Sequence, residues 1–98
     1  MRFTLKWSTP SKNNFSKILM FIMNKWGLKA ANEFIIDVEG MVKVISNMPE
    51  AFPAFKERKN VRRCVINKRT VLFYQVKGDT VFLVNFYDTR LNPERFNV

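Results

Sequence analysis

The stretch Thr70-Val71-Leu72-Phe73-Tyr74-Gln75-Val76-Lys77-Gly78-Asp79-Thr80-Val81-Phe82-Leu83-Val84-Asn85-Phe86-Tyr87 decides the fold. Two β-branched and aromatic runs flank Lys77-Gly78-Asp79, and a glycine-bearing connection that short closes an antiparallel hairpin. Just upstream, Val61 to Asn67 is a third β-rich run, returned to Thr70 through Lys68 and Arg69. The three runs therefore predict an antiparallel meander. In its last strand, alternation sets Phe82, Val84 and Phe86 on one side and Val81, Leu83, Asn85 and Tyr87 on the other. The Phe-rich side is assigned to the core.

Working outward, Met1 to Trp7 alternates, with Phe3, Leu5 and Trp7 on one side, and reads as a half-buried strand. Ser8-Thr9-Pro10 is a helix start, a hydroxyl cap followed by proline where its missing N–H does no harm. Phe15, Ile18, Leu19, Ile22 and Trp26 then recur at helical spacing up to Gly27. A second helix is predicted from Leu28 to Met48, with Ala31, Phe34, Ile35, Val38, Val42 and Ile45 as its apolar stripe and Pro49 as its stop. Only Gly27 separates the two, which demands an antiparallel helical hairpin. Pro49 to Asn60 reads as a connection, and Asp88 to Val98 as a tail. The expectation is one α+β domain over residues 1–98: an N-terminal strand, a helical hairpin on one face of the sheet, then the three-stranded meander.

Composition bounds the chemistry. The 98 residues carry 17 Lys and Arg against 8 Asp and Glu, a net charge of +9, with one Cys and no His. Absence of His removes imidazole acid–base and nucleophile arrangements. The lone Cys64 can neither close an internal disulfide nor anchor a zinc cluster, so no metal and no cofactor are expected, and a reducing cytoplasmic setting fits. The longest apolar run, Ile18 to Met23, is far short of the roughly 20 residues that span a bilayer. No membrane association is therefore expected, and the charge argues for an anionic partner.

That charge is concentrated. Lys56, Arg58, Lys59, Arg62, Arg63, Lys68 and Arg69 stand against only Glu57. The bland reading is a solvated strand edge protected from aberrant pairing. The functional reading is a phosphate-binding face, weakened steeply by salt. Arg62 and Arg63 point to opposite sides of their strand, so at most one joins an open face. Most aromatics (Phe15, Phe21, Trp26, Phe34, Phe73, Phe82, Phe86) are expected in the core, as are Tyr74 and Cys64. Tyr87, at a strand end beside Asp88 and Arg90, is balanced between structure and site. RNA cleavage without His would need a Lys of lowered pKa or Glu57 as base, arginines on the phosphorane-like transition state, and an acid such as Tyr87.

Trp7-Ser8, Asn24-Lys25-Trp26-Gly27, the Phe34 helix ending near Pro49, Asn60 to Lys68, Leu72 to Val76 and Tyr87 to Pro93 occur together, in this order. In that combination the chain resembles the RelE/ParE superfamily of bacterial type II toxin–antitoxin toxins over nearly its whole length. The resemblance implies a compact toxin neutralised by an acidic cognate antitoxin. RelE-like members cleave mRNA on the ribosome, so ribosome and mRNA would be partners; ParE-like members instead inhibit DNA gyrase without cutting RNA. Carried over residue by residue, it matches Lys56 and Lys59 to loop lysines, Arg90 to a C-terminal arginine and Tyr87 to a C-terminal aromatic; with Arg62 of the basic run these are the expected catalytic set, and Arg58, Arg63, Lys68 and Arg69 of the same run are the expected nucleic-acid contacts. One position departs from the RelE-like pattern: Val71 stands three residues before Tyr74, where an arginine is common, and Arg69 or Arg62 would have to replace it. Ribosome-dependent mRNA cleavage is the leading expectation, and gyrase inhibition the alternative.

Overall fold

A computed structural model describes residues 3–91. The elements are β1 (Thr4–Trp7), α1 (Thr9–Trp26), α2 (Leu28–Asn47), β2 (Ala54–Phe55), β3 (Arg58–Val65), β4 (Thr70–Lys77) and β5 (Thr80–Asp88). The strands form one five-stranded sheet in the order β1-β5-β4-β3-β2. The expected meander is present as β3, β4 and β5, antiparallel throughout. β1 returns to lie parallel to β5, pairing Thr4 with Thr80 and Trp7 with Leu83.

Two details differ from the sequence reading. Pro49 to Asn60 is not wholly a connection: Ala54–Phe55 pairs with β3, which starts at Arg58 rather than Val61. The second concerns β5. Tyr74 pairs with Leu83 but Phe73 with Asn85, so Val84 is an extra residue, a β-bulge. Alternation therefore resets there. Val81, Leu83 and Phe86 join the helix-facing core, while Val84 and Tyr87 belong to the cluster on the other face. Of the predicted Phe-rich side, only Phe86 faces the helices; Phe82 and Val84 do not.

The helices arise as their caps dictate. The Ser8 hydroxyl accepts the Ser11 N–H and donates to the Val84 carbonyl at 2.7 Å, so the α1 cap also satisfies the bulge. Gly27, at φ 94°, is the whole linker between α1 and α2, a backbone value that glycine adopts without the clash of a Cβ. Ile18, Ile22, Ala31, Phe34, Val38 and Ile45 pack from the helices onto Cys64, Leu72, Tyr74, Val81, Leu83 and Phe86. Trp26 is an exception among the aromatics expected in the core, being 53 % exposed. The opposite sheet face carries a smaller cluster of Val61, Val71, Phe73 and Tyr87, edged by Phe55 and Val84. No helix among the described residues is long and apolar enough to cross a membrane.

Candidate functional site

The dense run of cations does not fold into one patch. β3 carries it from one end of the sheet to the other. Lys56 and Arg58 sit at the β2–β3 turn, both exposed, while Lys68 and Arg69 are exposed in the β3–β4 turn. From Arg58, β3 runs seven more residues before that turn, about 23 Å at ~3.3 Å per residue. Lys59 lies within β3, but its side chain is outside the described residues.

Alternation divides the middle of β3 between faces. Arg62 is opposite Tyr74 on the helix side. Its Nη1 donates to the Phe52 carbonyl at 2.6 Å, while the Tyr74 hydroxyl donates to the Pro49 carbonyl at 2.6 Å. These two bonds pin the 49–53 connection against the sheet. Burial pushes the Tyr74 phenol up to about 12, with Arg62 pulling weakly the other way. Arg63 turns to the opposite face, opposite Phe73, whose ring contacts Tyr87 edge-on at 5.7 Å. Tyr87 is buried there, with its oxygen 3.4 Å from the Asn85 amide nitrogen; Asn85 in turn accepts from Asn14 at 2.6 Å.

Arg90 is also committed internally. Its Nε donates to Asp88 Oδ1 at 2.8 Å and its Nη2 pairs with Oδ2 of the same carboxylate. The Arg90 N–H donates to Asp88 Oδ1, and the Thr70 hydroxyl to Oδ2. Asp88 and Thr70 are both 0 % exposed. Burial alone would raise the Asp88 carboxyl, but the Arg90 side chain, its backbone N–H and the Thr70 hydroxyl together hold it below the usual carboxylate range. The bond to Asp88 likewise raises Arg90, against its own burial. The guanidinium also lies over two α1 rings, 5.6 Å from the Phe21 centroid and 5.3 Å from that of Trp26. Arg90 thus clasps the end of β5 to α1. Sequence reasoning missed Asp88, Thr70 and Trp26 as its partners. The bulge hides them, because without Val84 as the extra residue Asp88 would fall opposite Arg69 rather than Thr70.

Beside this clasp lies a cleft of about 390 Å³ between the helical hairpin and the β3–β4 turn. Trp26, Glu33 and Asp37 border one side, and Lys68, Arg69 and Arg90 the other. With acidic and basic walls facing each other, it suits a polypeptide of mixed charge better than a polyphosphate chain. A larger hollow of about 570 Å³ on the other flank of α1, lined by Lys17, Met20, Phe21, Phe86 and Leu91 among others, is bordered by none of the candidate cations and not by Tyr87. Cys64 is buried, its thiol pushed up to about 11 by desolvation, a core residue rather than a nucleophile at neutral pH. Among the described residues no group of three or more His, Cys, Asp or Glu is placed to hold a metal.

No protein-family model and no curated protein sequence matches the chain. Solved structures do. A chain of a chromosomal ParDE toxin–antitoxin system from P. aeruginosa superposes with a TM-score of 0.77 at 17 % identity, over 89 % of this chain and 96 % of that one. One from the RelBE2 toxin–antitoxin complex of Mycobacterium tuberculosis gives 0.64 at 15 %, covering 90 % and 99 %. A chain of the E. coli DinJ-YafQ toxin–antitoxin complex gives 0.63 at 7 %, covering 93 % and 97 %. The fold is therefore that of RelE/ParE-type toxins, and a structure with both helices and all five strands accounts for the order of motifs read in the sequence.

Proposed function

We propose that this chain is the toxin of a type II toxin–antitoxin module and acts by protein contact, as ParE-like inhibitors of DNA gyrase do, rather than by cutting mRNA. One observation carries the choice between mechanisms: two of the cations an RNA-cleaving site would need, Arg62 and Arg90, are held by bonds within the chain. Arg62 donates to a backbone carbonyl, and Arg90 is paired with a buried carboxylate. General acid–base catalysis requires its groups within hydrogen-bond reach of one phosphate. The fold supports the toxin reading, and a net charge of +9 suits an acidic antitoxin that orders on binding.

The test is direct. Purified protein is expected to block gyrase supercoiling and to leave translated mRNA uncut in primer extension, with growth restored by a small acidic protein from a neighbouring gene. Normal supercoiling at toxin excess, together with codon-positioned cuts, would overturn the mechanism and favour the ribosomal one. That second reading keeps one specific support: Arg63 and Tyr87 share the sheet face away from the helices, bridged by Phe73.

A further inference from the structure

One face of α2 is left uncovered in a patterned way. Ile36 is 65 % exposed and Val44 37 %. With Gly40, they follow at four-residue intervals and so form a single ridge, inclined to the helix axis. A Cβ built at Gly40 would meet nothing within 4 Å. Its φ lies outside the positive region, so neither backbone conformation nor packing within the chain calls for glycine. Glycine is nonetheless the poorest helix former after proline, and its bareness admits a second backbone at close range.

Charge identifies the occupant. Asp37 and Lys43 stand three residues before and after Gly40; at 100° per residue they flank the ridge on opposite sides. Both are exposed, and neither takes part in an ion pair among the described residues, although Asp37 also borders the cleft holding Lys68 and Arg69. We propose that α2 is a self-association face, on which a second copy of this chain lays its own ridge about a twofold axis running along it. Gly40 then meets Gly40, Ile36 and Val44 meet their counterparts, and each Lys43 falls opposite Asp37 of the second copy. Aligning two such ridges gives helices crossing near −50°. The other possible twofold, across the ridge, sets Lys43 against Lys43 and Asp37 against Asp37, so electrostatics select the first. An acidic partner fits this face less well. In a chain of net +9, α2 carries Glu33, Asp37 and Glu39 against Lys29 and Lys43.

Two crossing helices bury less than the ~800 Å² per partner of a standard interface, so the dimer is weak and concentration-dependent. Sedimentation equilibrium of the full chain from about 5 to about 500 µM reads it at this affinity class. The expected result is a reversible monomer–dimer equilibrium. Asp37→Lys or Lys43→Asp alone weakens it about tenfold, and the double reversal restores it. Gly40→Leu abolishes it with the circular dichroism spectrum retained and the melting temperature not lowered. A monomer throughout this range overturns the proposal, as does a dimer indifferent to the single reversals. It is equally overturned if these variants lose only binding to an acidic antitoxin. The proposal stands apart from the toxin reading, since self-association is measured without any target.

Discussion

If Arg90 is a clasp rather than a catalytic group, its removal must act on stability, and with a pH signature. Consider Asp88→Asn, Arg90→Met and the double variant. In the native chain Asp88 accepts three bonds from Arg90 and one from Thr70, at a site with no exposure. Deleting one partner of a buried pair costs about 3–5 kcal/mol. The Arg90 side chain keeps 18 % exposure and can regain water, which puts Asp88→Asn near the lower end, about 3 kcal/mol. For a domain of this size that is a fall in Tm of about 12–24 °C. The sign with pH follows from the direction of the shift. Asp88 is held below the ordinary carboxylate range in the folded state, so its contribution is complete above that range and is lost as pH falls through its folded value. In Arg90→Met the same carboxyl loses both guanidinium bonds and the adjacent positive charge, keeping only the residue-90 N–H and the Thr70 hydroxyl. Burial is then less well offset, the carboxyl moves up relative to the native chain, and the penalty shrinks on acidification. Urea denaturation at a series of pH values from 3 to 7 measures this, and the double variant should lose clearly less than the sum of the singles. Losses under 0.5 kcal/mol for either single variant, or strict additivity, would refute the clasp.

Gly40→Ala, assayed at low micromolar concentration where the chain is monomeric, is expected to stabilise by up to about 1 kcal/mol, because the new methyl enters open space and favours the helix; a lowered Tm would contradict this. Tyr74→Phe removes the bond to the Pro49 carbonyl and should lower stability in urea denaturation by about 1 kcal/mol, with hydrogen exchange quickening across residues 49–55 before the rest of the sheet. Lys68→Gln with Arg69→Gln changes two exposed turn residues and should leave stability within about 0.5 kcal/mol; if the proposed function holds, a loss of antitoxin or target binding in that variant reports contact rather than folding.

What was legible in the sequence was local. Ser8, Pro10, Gly27 and Gly78 each mark a boundary through their own backbone chemistry, and helix and strand periods did the rest. The bulge at Val84 was not, because an extra residue in a strand needs no distinctive side chain; its price in the reading was the misplacement of Phe82 and Val84. The β2 pair escaped notice because two residues carry no periodicity. The candidate site was the least legible part. Charge counted along a chain measures density, whereas convergence depends on strand direction and on which face each residue meets. Arg62 was bound to a carbonyl ten residues earlier, and Arg90 to a carboxylate positioned by the bulge, and neither relation leaves a mark in spacing.

The parallel placement of β1 beside β5 has a consequence for synthesis. Thr4 finds its ladder partner only at Thr80, so the first strand made must wait for the last. Closing a loop of that size is slow, and the pairing offers no partial gain along the way. A nascent chain can form its helical hairpin early, but it cannot complete the sheet until β5 exists. Anything that truncates translation before β5 therefore yields a fragment in which β1 has no ladder partner and this sheet cannot be completed.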